Sequence, residues 1–312
     1  MSVIIGIDLG GTQLRVAAFL PDSITPIQVL KTPTRSKDGN LLERLMATID
    51  SIWPDEPVAA ICAACPGPVD SERGILLVAP NIPGWVNFPL SERLSQKYHV
   101  PIFLENDANL AAVGEWYYGA GRGHHHLIYL TISTGIGGGV IINDQLLTGA
   151  RGLAAEIGHL SILPDGPLCS CGKRGHLEAI ASGTAIARYV SEQIAAGRSS
   201  SLSHASHITA KTVAAAARNG DELALEAFQR AGNALGQGIA DLLHIFNPSI
   251  LVFGGGVSQS GDLLFAPIRH TLEELIMSRG YLENLTITKS QLGDEAGLLG
   301  TLAQARLKLG LA

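Results

Sequence analysis

The sequence predicts an α/β fold of two lobes that face a common cleft. Three observations carry this expectation. Apolar runs ending in glycine turns alternate with segments of helical spacing, and a glycine hairpin near the start returns near the middle of the chain. The 312 residues, 46% of them hydrophobic, also exceed what one small core requires.

The elements follow in order. Residues 3–7 are an apolar run that ends at Asp8; Leu9-Gly10-Gly11-Thr12 turns, and residues 13–20 return, which predicts two antiparallel strands. Leu41, Leu42, Leu45, Ile49 and Ile52 predict a helix over 41–53. Residues 58–64 read as a buried strand stopped by Pro66-Gly67-Pro68, and 74–78 as another. A helix over 91–98 is expected to take Ser91 as its cap. A strand over 102–104 delivers Glu105-Asn106-Asp107 to a helix over 108–117. In the second half, strand 127–132 leads into a turn, Ser133-Thr134-Gly135-Ile136-Gly137-Gly138-Gly139, and residues 140–143 return. Helices over 180–196 and 212–246 flank a serine-rich stretch, 199–206, that reads as an exposed loop. Strand 250–253 ends in Gly254-Gly255-Gly256, and a last helix covers 296–309.

Composition excludes several function classes. With 28 acidic and 22 basic side chains the net charge is -6, which argues against nucleic-acid and anionic-membrane partners. No segment is long and apolar enough to span a bilayer, and Asp8 interrupts the only apolar N-terminal run, so a soluble cytoplasmic protein is expected. Four cysteines in this length do not make a disulfide framework. Cys62-x-x-Cys65 has redox spacing without a thioredoxin-like context and reads as buried thiols, His124-His125-His126 reads as solvated, and Trp85 and Phe88 either pack under a loop or line the cleft.

Three groups of residues carry chemistry. In Asp8-Leu9-Gly10-Gly11-Thr12, glycines bare backbone N–H groups toward phosphate oxygens, Asp8 can hold Mg²⁺, and Thr12 adds a donor. A plain hairpin is the alternative, but Thr134-Gly135 and Gly254-Gly255 repeat the pattern where a nucleotide could lie against backbone. Neither a Walker A nor a Rossmann glycine pattern is present. Asp107, between strand and helix, either caps that helix or projects into a cleft as a general base for a hydroxyl nucleophile. His159, Cys169, Cys171 and His176 offer four imidazole and thiolate ligands within 18 residues, with Gly172 permitting a tight turn. That donor set selects Zn²⁺, and four protein ligands leave no open position, so the site is expected to be structural.

The opening motif, the second glycine hairpin and Gly254-Gly255-Gly256-Val257 resemble the superfamily of sugar kinases, hexokinase, actin and Hsp70. Glu105-Asn106-Asp107-Ala108 with the cysteine segment resembles the ROK family of bacterial sugar kinases and sugar-responsive repressors, over essentially the whole chain. The resemblance implies a ribonuclease-H-like, actin-like ATPase fold. A small lobe of residues 1–107 and 296–312 would face a large lobe of residues 108–295. It makes Asp107 the catalytic base and Mg-ATP the phosphoryl donor. It places Gly67, Asn81, Asn106, Glu156, His159 and Glu178 on the sugar, His159 doing so while ligating zinc. Its usual pattern has a third cysteine where this chain has His176. The implied activity is ATP-dependent phosphorylation of glucose at its 6-hydroxyl, in carbohydrate metabolism, by a homodimer or homotetramer. N-acetylmannosamine or N-acetylglucosamine kinase is the alternative, with fructokinase or a sugar-sensing non-catalytic relative behind it. A repressor would need a helix-turn-helix, for which seven residues ahead of Asp8 leave no room.

Overall fold

The computed structural model describes residues 2–35, 40–79 and 82–311; Asn81 lies outside the described residues. Strands β1 (Val3–Leu9), β2 (Gln13–Phe19), β3 (Gln28–Pro33), β4 (Val58–Cys65) and β8 (Ile102–Asn106) form one five-stranded sheet, in the order β3-β2-β1-β4-β8. A separate three-stranded sheet holds β5 (Val69–Asp70), β6 (Ile75–Val78) and β7 (Val86–Phe88). The second five-stranded sheet contains β9 (His126–Ile132), β10 (Ile136–Ile142), β11 (Gln145–Leu146), β12 (Ile250–Gly254) and β13 (Thr286–Lys289), in the order β11-β10-β9-β12-β13. The two large sheets share one plan. In each, a glycine hairpin supplies an antiparallel pair, and two further strands run parallel to the hairpin's first strand.

The helices are α1 (Leu41–Asp50), α2 (Leu90–Tyr98), α3 (Asp107–Tyr118), α4 (Leu177–Ala181), α5 (Gly183–Ala195), α6 (Ala210–Arg218), α7 (Glu222–Phe246), α8 (Asp262–Leu275) and α9 (Ala296–Leu309). Period-two alternation gives each large sheet two apolar faces. Val3, Ile5 and Ile7 of β1 pack with Leu45 and Ile49 of α1, whereas Ile4 packs with Leu298 and Leu302 of α9. Ile128, Leu130 and Ile132 of β9 join the core built by α4 to α8, while Leu127 and Tyr129 face Ala112 and Val113 of α3. Helices α3 and α9 pack against each other, so they form the joint between the two sheets.

Several boundaries differ from expectation for physical reasons. Gly137, Gly138 and Gly139 lie within β10 and not in its turn. A Cβ on Gly139 would stand 2.5 Å from the Ala112 Cβ, and one on Gly138 2.4 Å from Ile157 Cδ1, so these glycines admit close packing on both faces of the strand. Helix α2 begins at Leu90 after Pro89 with no side-chain cap, and Ser91 is already inside it. The expected 180–196 helix is α4 and α5 broken at Ser182, whose side chain caps α5. The 212–246 helix is α6 and α7, separated at Asn219-Gly220-Asp221, where Gly220 takes φ +86 and Asp221 caps α7. Asp221 also accepts hydrogen bonds from Ser200 Oγ, Ser201 N and Ser201 Oγ, which ties the serine-rich loop to the helix. Those donors hold its carboxyl down at about 2 against the opposing effect of its burial. Cys62 and Cys65 are fully buried, and burial raises both thiols, so neither is poised for redox chemistry. Trp85 is buried and stacks on Phe88 at 4.3 Å, packing with the first sheet's core.

Candidate functional site

The turns after β1 and β9, the end of β8 and the end of β12 all lie at carboxyl ends of sheet strands, the usual place for ligands in α/β folds. A cavity of about 520 Å³ opens there, lined by Gly11, Gly67, Asn106, Asp107, Thr134, Gly135, Glu156, His159 and Glu178. One carboxylate, both glycine hairpins and the acidic and imidazole groups of the second half therefore meet in one space, although they are spread over nearly 170 residues of chain. A second cavity of about 890 Å³ adjoins it and shares Ser133 and Thr134 at the tip of the second hairpin. It lies between the N-terminal parts of α5 and α6 and the Gly256–Ser260 turn, with Thr184, Lys211 and Gln259 on its walls.

Asp107 is delivered by a short chain of dependencies. Glu105, only 1% exposed, accepts hydrogen bonds from Asn106 N, from Asn109 Nδ2 and from Ser71 Oγ, so a buried carboxylate fixes the strand-to-helix corner. The cap of α3 is Asn106, whose Oδ1 accepts from Ala108 N and Asn109 N while Nδ2 donates to Gly67 O. Asp107 is thereby relieved of capping and stands as the first residue of α3, its Oδ1 accepting from Ala108 N at 2.8 Å. Burial, then the negative charges of Asp8 and Glu156, push its carboxyl up to about 7, with the Ala108 amide opposing them. A carboxyl tuned to neutrality beside two glycine turns has the properties of a general base.

Asp8 does not line the cavity but acts on Asp107 through its charge; its Oδ2 is held by Arg15, with Nη2 at 2.6 Å and Nε at 3.0 Å. Arg15 is its cross-strand neighbour on β2 and also reaches Glu295 just before α9. Gly10 and Thr12 frame the turn instead of the cavity wall: Gly10 N donates to Gln13 O, and Thr34 N donates to Thr12 O. Gly254 and Gly255 face inward, since a Cβ would meet Tyr129 Oη at 2.1 Å and Ile132 O at 2.3 Å respectively. Gly256 is the member of that run that opens on the larger cavity. Sequence reasoning missed Arg15, the bracing role of Glu105 and the larger cavity's Thr184, Lys211 and Gln259, because nothing in their local spacing signals them.

Ala155, just ahead of Glu156, takes φ +64, a left-handed conformation that costs a non-glycine residue roughly 1 kcal/mol. Burial, then Glu178, raise the Glu156 carboxyl, against the pull of His159. Glu178 Oε2 accepts from Ile136 N at 3.0 Å, and its other oxygen accepts from Ser170 Oγ at 2.9 Å.

His159, Cys169, Cys171 and His176 converge, with their ligand atoms all within 4.8 Å of one another. Metal–nitrogen bonds of about 2.05 Å and metal–sulfur bonds of about 2.3 Å at tetrahedral angles require ligand separations of roughly 3.3–3.8 Å. The two Nδ1 atoms lie 3.2 Å apart, Cys169 Sγ is 3.8 Å from His159 Nδ1, and Cys171 Sγ is 3.3 Å from His176 Nδ1. Gly172, at φ +86, makes the expected tight turn between them.

The model of the ROK family matches residues 4–307. A glucokinase of Thermotoga maritima is 39% identical, with 98% of each chain covered. A ROK family glucokinase from Streptomyces griseus, solved in complex with glucose and AMPPNP, superposes with a TM-score of 0.80 at 34% identity, covering 98% of this chain and all of that one. A xylose repressor of Caldicellulosiruptor bescii is 32% identical over 96% of this chain and 77% of its own length. With a match that runs almost end to end and a fold of two like-ordered sheets, the chain belongs to the ROK family.

Proposed function

We infer that the protein is a hexose kinase that transfers the γ-phosphoryl group of ATP to the 6-hydroxyl of glucose. The observation that carries this is the pair of adjoining cavities, one bearing Asp107 and the other large enough for a nucleoside, which meet at Ser133 and Thr134. Similarity to the glucokinases above, one of them solved with glucose and AMPPNP, supports this reading.

In this mechanism glucose occupies the smaller cavity, with Glu156, His159 and Glu178 toward its ring hydroxyls and Asn106 and Gly67 at the other wall; Asn81 is assigned to the same ligand. The Asp107 carboxylate would take the proton of the 6-hydroxyl as that oxygen bonds to the γ-phosphorus and the bond from that phosphorus to the β–γ bridging oxygen breaks, releasing ADP. Backbone N–H groups at Gly11 and in the Thr134-Gly135 turn would receive the phosphate oxygens, Gly10 and Thr12 would hold the first turn in shape, and Gly256, set by Gly254 and Gly255 packed beneath it, would border the nucleoside. Asp8, oriented by Arg15, is the carboxylate that would hold Mg²⁺ bound with ATP, and that ion would neutralise phosphate charge. Closure of the lobes, residues 1–107 with 296–312 against residues 108–295, would exclude water as a competing acceptor. The separate cores on the outer sides of the two sheets support that division.

His159, Cys169, Cys171 and His176 are assigned to a structural zinc, on the ligand separations given above. Protein purified without added metal is expected to carry close to one zinc per chain by elemental analysis. A content far below one equivalent would refute the assignment.

The function is tested by ADP release with glucose, mannose, fructose, N-acetylmannosamine and N-acetylglucosamine. Glucose should give the highest kcat/KM by at least tenfold. A higher value for either N-acetylhexosamine would move the substrate to that class.

A further inference from the structure

Ser170 lies between Cys169 and Cys171, and its hydroxyl donates to the Glu178 carboxylate at 2.9 Å while standing 3.9 Å from Cys169 Sγ. Glu178 lines the smaller cavity and is held by donors from two distant segments: Ile136 N, in the second glycine hairpin, on Oε2 and Ser170 Oγ, in the metal loop, on Oε1. Its Oε2 fits against bare backbone, since a Cβ on Gly135 would stand only 2.4 Å away. Cys169 Sγ is 3.8 Å from Oε1, but a sulfur that ligates zinc as thiolate has no proton to donate, so Ser170 supplies the bond on that oxygen. A carboxylate with one donor on each oxygen is restricted in rotation and keeps further acceptor capacity where Glu178 lines the cavity.

We propose that Ser170 is a positioning residue for the sugar: it transmits the order of the metal loop to Glu178 and so sets the affinity for a ligand offering hydroxyl donors. This rests on the glucokinase function proposed above and deepens it. Removing Ser170 loosens one acceptor of the sugar site and leaves the metal ligands and the nucleotide cavity in place.

The test compares zinc-loaded wild type, Ser170→Ala and Ser170→Thr as full chains. Glucose affinity is read by calorimetry without nucleotide, zinc by elemental analysis, and kinetics against both substrates. Ser170→Ala should bind glucose about 5–10-fold more weakly, as expected for losing one charge-assisted hydrogen bond that orients a contact. Its zinc content should equal that of wild type. Its kcat at saturating glucose and its KM for ATP should stay within about twofold, and Ser170→Thr, which keeps the hydroxyl, should restore the affinity. Unchanged glucose affinity in Ser170→Ala, or loss of its zinc, overturns the proposal. Wild type that neither binds nor phosphorylates glucose defeats the function itself, a result distinguishable from failure of the Ser170 role.

Discussion

Asp107→Asn should lower kcat by about 10²–10⁴-fold, the range expected when a general base is removed, with glucose affinity changed by no more than a few-fold. The amide keeps the size of the carboxylate and an acceptor for Ala108 N, and Asn106 still caps α3, so the helix start survives. Wild-type kcat/KM should rise with pH and level off above about 7, where Asp107 is ionised. A variant that phosphorylates glucose at a near wild-type rate would show that the base lies elsewhere.

The same shift makes a stability prediction of known sign. A carboxyl raised from 3.8 to about 7 binds more protons in the folded chain than in the unfolded one. Its contribution to stability is complete below pH 3.8 and is lost as pH rises through about 7. Ligand-free Asp107→Asn should therefore melt above wild type at pH 8, by an amount corresponding to a few kcal/mol, and the gap should close as pH approaches 4. A gap independent of pH would mean that another effect of the substitution is being measured. Catalysis and stability thus pull in opposite directions at this residue, because the burial that tunes the base also makes its charge costly.

The parts of the site that were legible in the sequence are those where chemistry and chain spacing coincide. Gly11 and Thr134 with Gly135 lie in short glycine motifs and line the cavity, and His159, Cys169, Cys171 and His176, close in the chain, converge as a cluster able to hold a metal. The doubling of the hairpin suggested two related lobes, and the structure sets each hairpin in its own five-stranded sheet, the two alike in plan. What stayed hidden depends on distant partners. Glu105 carries no local sign that Ser71 and Asn109 will surround it. Strand β3 contains Gln28, Lys31 and Pro33 and lies at a sheet edge, so its pairing with β2 outweighs a weak propensity. Helix α8 contains Pro267, a breaker by local preference, and its ring lies against Gly232 of α7, where a Cβ would stand 2.4 Å from Pro267 Cγ. The glycines were the most misleading class. The abundance that suggested phosphate turns also serves packing, as at Gly137 to Gly139 and above all at the α3–α9 joint.

At that joint Gly300 and Gly114 let two helices cross at backbone contact. A Cβ on Gly300 would stand 1.8 Å from Leu110 O, and one on Gly114 2.3 Å from Ala296 O. These neighbours are main-chain atoms within helices, so they cannot yield by changing rotamer. Gly300→Ala must push α9 away from α3 or from the first sheet, where Leu298 and Leu302 pack against Ile4 and Phe19. An overpacked core of this kind costs about 3 kcal/mol, and a chain of this size should lose roughly 4–5 °C in Tm. Gly297→Ala supplies the contrast one turn earlier in α9. Its Cβ would meet nothing nearer than Asp8 Cγ at 3.7 Å, and alanine's helix preference should leave Tm unchanged or slightly higher. If both variants melt within about 1 °C of wild type, the helices are not held at the separation shown here. If only Gly300→Ala falls, the crossing is a fixed pivot, and the spacing between Asp8 of one sheet and Gly135 of the other is set by two residues that touch neither substrate.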